Sequence, residues 1–260
     1  MDTPDDLKRS HAARGSRRAL LRTAVRALGA AALAGLALWP RGGAWAADAP
    51  RESGLSFEGL LKGLPGFQPR TLAPLPHAEI AGFISAVQMA KNYAVYRAAL
   101  AELIAAETAL RSAPRDAAQA SVYADLRRRQ VAAANSVLLH EFFFRNLAPA
   151  PGAPPRYVMA NLHEHMGSLA SWREDFAACA RVAGAWAALV YDPYDDRWHN
   201  VAMDDHDAGG WAGANPLVVC AVADHAWSID YQDRDHYVAA FLDHIDWTAV
   251  AARYHAVDRQ

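Results

Sequence analysis

Apolar positions recur at two different periods along this chain and divide it into two halves. From Ala78 to Leu110, Ile80, Phe83, Ile84, Val87, Tyr93, Tyr96, Leu100, Leu103 and Ile104 fall at helical spacing, which predicts one long amphipathic helix. A second is predicted from about Asp116 to Leu147, carrying "VLLHEFFFRNL", and the proline-rich "APAPGAPP" (Ala148 to Pro155) ends it. Beyond that boundary the period shortens. "AWAALVYDP" and "RWHNVAM" read as two strands across a polar turn and "NPLVVCAVA" as a third; "GSLASWREDFAACARVAG" is a helix opened by Ser168, and "RDHYVAAFLDHIDWTAVAARY" closes the chain with helix. The pattern predicts an α+β fold, an N-terminal long α-hairpin (77–149) followed by a C-terminal α/β domain (156–260) with a three-stranded antiparallel sheet.

Two segments ahead of the hairpin follow neither period. Residues 1–46 have the organisation of a signal peptide: a basic start with "SRRALLR" (Ser16 to Arg22), an apolar run from Leu28 to Trp39, and "AWA" (Ala44 to Ala46) at the expected cleavage point. The run is 12 residues long, short of the roughly 20 that span a bilayer, so no stable membrane anchor is expected. Arg17 and Arg18 ahead of a weakly hydrophobic core resemble a twin-arginine signal, a route that exports folded chains, and place the mature protein in the periplasm or outside the cell. Residues 47–76, rich in proline and glycine, read as an irregular arm.

Charge narrows the partners. Eight of the 26 Lys/Arg and three of the 28 Asp/Glu lie in the first 46 residues, leaving 18 basic against 25 acidic, a net charge of −7 that argues against nucleic acid. Cys179 and Cys220 are the only cysteines; an oxidising compartment permits one disulfide between them without fixing it.

Candidate chemistry rests on two histidines. His140 lies mid-helix among Leu138, Leu139, Phe142, Phe143 and Phe144, where a buried imidazole needs partners for its nitrogens: a backbone carbonyl or a metal. His225 ends an apolar strand beside Asp224 and Trp227 and poses the same choice. His163 and His165, two apart, do not share a helix face and read as surface residues, while "DDHDAGG" (Asp204 to Gly210) reads as a solvated acidic turn.

In order, "LLHEFFFRNLAP", "MGSLASWREDF", "AWAALV", "AVADHAWSIDYQDR" and "HIDW" resemble the iron/manganese superoxide dismutase family over roughly residues 65 to 254. The resemblance implies a homodimer, superoxide as substrate, and one iron or manganese between the two halves. Position by position it implies His140 and His225 as ligands, but Gln88 stands at the first-helix histidine and Ala221 at the aspartate. Tyr96 matches the gateway tyrosine and Trp186 a pocket tryptophan. Asn92 and Ser228 replace a histidine and tyrosine that pair across the dimer, Asp224 shortens the glutamate that bridges subunits, and Ser136 stands where some members carry a glutamine.

Three readings follow: a dismutase whose activity is weak or lost, a non-catalytic binding or structural homologue, and a copper or zinc protein using His140, Cys220 and His225. The last requires a bulge in the strand, since Cys220 otherwise faces away from its neighbour Ala221.

Overall fold

The computed structural model describes residues 71–257. The signal segment 1–46 and all but the end of the arm 47–76 lie outside the described residues. The first long helix, α1 (Ala86–Ser112), begins eight residues later than its apolar period predicts. Gly82 takes φ +80°, which no helix accommodates, and residues 80–84 close a turn in which Ile80 pairs with Ile84. Ile80, Phe83 and Ile84 are nonetheless buried, so their spacing reported burial rather than helix. Ser85 then caps α1, its hydroxyl accepting the Gln88 amide at 3.1 Å.

Helix α1 stops before Pro114, and α2 (Ala120–Phe144) follows a short 3-10 turn capped by Asp116. The two helices pack side by side, α1 burying Tyr96, Leu100, Leu103 and Ala106, α2 burying Ala133, Val137, His140 and Phe144. Helix α3 (Arg156–Met166) has no counterpart in the predicted pattern, because only Val158 and Leu162 mark its inner face. Helix α4 (Leu169–Val182) starts at Ser168 as expected, that hydroxyl accepting the Ser171 amide at 2.9 Å.

Three antiparallel strands, β1 (Trp186–Asp192), β2 (Arg197–Met203) and β3 (Asn215–Ala221), form a sheet in the order β2-β1-β3. Strand β1 is buried along its whole length, as a central strand covered on both faces must be. A register shift between Leu189 and Val190 bulges β3 at its start, well before Cys220. The predicted closing helix is two: α5 (Arg234–Asp243) and α6 (Trp247–Val257), parted where Asp246 accepts the Thr248 and Ala249 amides and so caps α6.

A buried cation joins α6 to both halves of the fold. Arg253 donates to the Asn146 side-chain oxygen, to the Leu217 carbonyl at 2.7 Å and to the Phe142 carbonyl at 3.3 Å, with its guanidinium 5.0 Å above the Phe142 ring. Asn146 in turn donates to the Val219 carbonyl at 2.5 Å. One network thereby ties the end of α2, strand β3 and the C-terminal helix. Cys179 and Cys220 are free thiols.

Candidate metal centre

His140 is placed by its own helix. It is 1% exposed, and its Nδ1–H donates to the Ser136 carbonyl one turn back at 2.7 Å, with the Ser136 hydroxyl 3.4 Å from the same nitrogen. That bond assigns the proton to Nδ1 and leaves the lone pair on Nε2, a buried atom with no hydrogen-bond partner. Burial pushes the imidazole down to about 3, against the pull of the Ser136 bond and helped by His225 and His206. The side chain is a neutral donor throughout the physiological range.

His225 approaches from the other half of the fold. It sits in a 3-10 turn (Asp224–Ala226) directly after β3, and its ring centre lies 6.4 Å from that of His140 with 28° between the planes. Its Nε2 is likewise buried and unpartnered. Burial lowers its pKa, as do His206 and Lys91, while exposed Asp224 raises it.

The turn carrying His225 is fastened by α1. Gln88, fully buried, donates from Nε2 to the His225 carbonyl at 2.7 Å and accepts the Ile229 amide on Oε1 at 2.9 Å. Asn92, one turn along, donates to the Ala226 carbonyl at 3.1 Å. Both ends of the Gln88 amide are therefore bound to backbone, and neither is left to hold an ion. As expected from its side chain, Ala221 offers no donor; it lies opposite Trp186 in the β1–β3 ladder.

Cys220 is not part of this cluster. With the bulge at the far end of β3, strand alternation holds and the thiol faces Tyr237 and Arg234 of α5, away from the histidines. Burial raises its pKa far above the ordinary thiol value.

The residue the sequence reading missed is His206. Its ring lies 6.4 Å from His140, and its Nδ1 accepts the Trp186 indole N–H at 2.9 Å. The indole has only a donor, so the neutral His206 ring must carry its proton on Nε2. It brings an N–H to this region rather than a second lone pair. Trp186 packs edge-on to His140 at 4.8 Å and completes the wall. The segment read as a solvated acidic turn folds back over β2 at Gly209, whose φ is +88° and where a Cβ would come within 2.8 Å of the Ala202 carbonyl oxygen. Asn135 of α2 then holds it by donating to the His206 carbonyl at 2.7 Å. Beside it, a cavity of about 470 Å³ is lined by Leu138, Phe142, Val190, Val201 and Trp211, with His206 in its wall.

Tyr96 stands 6.3 Å from His140 but directs its hydroxyl elsewhere, donating to Glu141 at 2.8 Å and accepting the Ala73 amide at 3.0 Å. Burial, with Glu141 beside it, raises its pKa well above the usual phenol value. Ser228 is exposed, and the Asn92 amide is bonded to the Ala226 carbonyl. His165 is half-buried on α3, its Nδ1 accepting the Trp198 amide at 3.2 Å, so the surface reading holds only for His163.

Residues 154–253 match the family described as iron/manganese superoxide dismutases, C-terminal domain. Over 119 residues the chain is 38% identical to a manganese superoxide dismutase of Haloferax volcanii, covering 45% of this chain and 60% of that protein. Over 138 residues it is 31% identical to an iron superoxide dismutase of Cupriavidus metallidurans, covering 52% of this chain and 69% of that protein. The chain thus spans about 60% of the Haloferax relative it matches.

Proposed function

The chain belongs to the iron/manganese superoxide dismutase family, and from that premise we propose that it is an exported, homodimeric member that has given up dismutation of superoxide at iron or manganese. Those are the metals the family implies, and the residues present do not fit them. An ion alternating between 2+ and 3+ needs an anionic ligand to offset its charge, and beside His140 and His225 stand a methyl group and an amide already committed to backbone. The carrying observation is Gln88. An amide bonded at both ends is a structural fastener, so two neutral imidazoles are all that remain.

The test is to purify the mature chain from its export compartment without chelators, measure iron and manganese content, and assay superoxide removal before and after reconstitution with each metal. Substoichiometric metal and no gain in activity are expected. A full complement of iron or manganese together with superoxide removal would overturn the reading.

A further inference from the structure

Two buried ring nitrogens in this cluster lack a partner. His140 and His225 each leave Nε2 buried without a partner, and an apolar wall of Trp186, Phe144 and Tyr96 surrounds the His140 ring. Leaving such nitrogens unmet costs free energy that a bound partner would recover. His206 cannot relieve them as a ligand, since its lone pair is taken by the Trp186 indole.

We propose that His140 and His225 form a two-coordinate site for monovalent copper. The inference rests on the reading above, that iron and manganese do not occupy this centre. Three physical arguments select the ion. The first is spacing. Two imidazoles on opposite sides of one ion, with bonds of about 2.0–2.1 Å, have ring centres roughly 6.3 Å apart, whereas a tetrahedral angle would bring them to about 5.2 Å. The observed separation is 6.4 Å.

The second is charge. The surroundings hold no carboxylate among the donors, and the nearest charges to His225, Lys91 and Asp224, act on it in opposite directions. The Born cost of burying an ion rises with the square of its charge, so a monovalent ion pays about a quarter of what a divalent one does. The third is coordination number. Zinc takes four ligands in a closed site and cupric copper a square of nitrogen and oxygen donors, and this site offers two nitrogens. Imidazole suits copper, and the monovalent ion accepts so few donors. Uptake forms one nitrogen–copper bond from each Nε2: His140 already carries its proton on Nδ1, bonded to the Ser136 carbonyl, and a neutral His225 binds as its Nδ1–H tautomer, so no proton is released.

The experiment uses the full mature chain, kept anaerobic and loaded in parallel with copper(I), iron(II) and manganese(II) salts, with a copper(I) chelator in competition in the first case. Metal per chain is measured after gel filtration, and the copper form is examined by electron paramagnetic resonance and X-ray absorption. About one copper per chain, silent in the resonance experiment and with the absorption edge of two-coordinate copper bound by nitrogen, is expected. His225→Gln and His140→Gln should each reduce retention at least tenfold, by about the scale of losing one of two ligands, while Cys220→Ser keeps it; circular dichroism establishes that the variants fold.

Folded wild type that retains no copper overturns the proposal, as does copper showing sulfur neighbours or persisting in the folded double histidine variant. If no metal is retained, the loss of iron and manganese chemistry still stands. If iron or manganese is retained with superoxide removal, that reading fails as well.

Discussion

Gln88 and His225 are joined through backbone: the amide of one donates to the carbonyl of the other, and the same amide receives the Ile229 N–H. The position that the family resemblance assigns to a ligand is the fastener of the turn that carries His225.

Gln88→Ala should therefore weaken the fold without touching either imidazole. It strips partners from the His225 carbonyl and the Ile229 amide, both half-buried, and about 1–3 kcal/mol of destabilisation is expected from two such losses. Urea unfolding measures it. A change below about 1 kcal/mol would mean that water takes over both bonds.

Restoring the family's donor types should reopen the older chemistry. Ala221→Asp with Gln88→His is expected to raise iron or manganese content over wild type, since it supplies the missing carboxylate and a third imidazole. The double variant should also be less stable, as Asp replaces a methyl that is 2% exposed. Elemental analysis beside a melting curve checks both, and unchanged metal content would show that these two positions do not control occupancy.

Acid should find His140 out in the metal-free protein. Its folded value is about 3 against an ordinary 6.5, so the unfolded chain takes up a proton that the folded chain refuses. Stability from this group is whole above about pH 6.5 and declines as pH falls toward 3, by about 2 kcal/mol at pH 5. Unfolding of wild type and His140→Phe at about pH 7.5 and about pH 5 isolates it; equal acid loss in both would remove the histidine as the cause.

Arg253→Met should unfold more easily. Three oxygens, of Asn146, Leu217 and Phe142, would lose their donor. About 2–4 kcal/mol of loss is expected after allowing for the relief of a buried charge. A neutral result would show that the desolvation of the guanidinium offsets all its bonds.

Export should depend on Arg17 and Arg18. Changing both to lysine is expected to retain the precursor inside the cell, read by cell fractionation, whereas normal export of the variant with sensitivity to a Sec block would remove the twin-arginine assignment. The mature chain is expected to begin near Ala47, which N-terminal sequencing of the exported form checks.

The hairpin and the three strands were legible because their burial repeats at the period of their own geometry, and His140 because an imidazole amid three phenylalanines needs a reason. Residues 80–84 misled for the opposite cause: three buried side chains in a turn mimic one face of a helix. Helix α3 was overlooked directly behind the proline-rich boundary, where only Val158 and Leu162 of its eleven residues are buried. His206 was hidden by its company. Aspartates and glycines read as solvent-facing, and nothing in that run says that Trp186, 20 residues earlier in sequence, offers it an indole N–H. Local pattern reports which side of an element is buried, not which distant partner a loop returns to meet.

Because α1 holds the His225 turn with the amides of Gln88 and Asn92, the two halves of the molecule are clasped by the chain itself. Folding need not then wait for an ion. Under the proposed export and copper site, a chain clasped in this way would be finished in one compartment and filled in another.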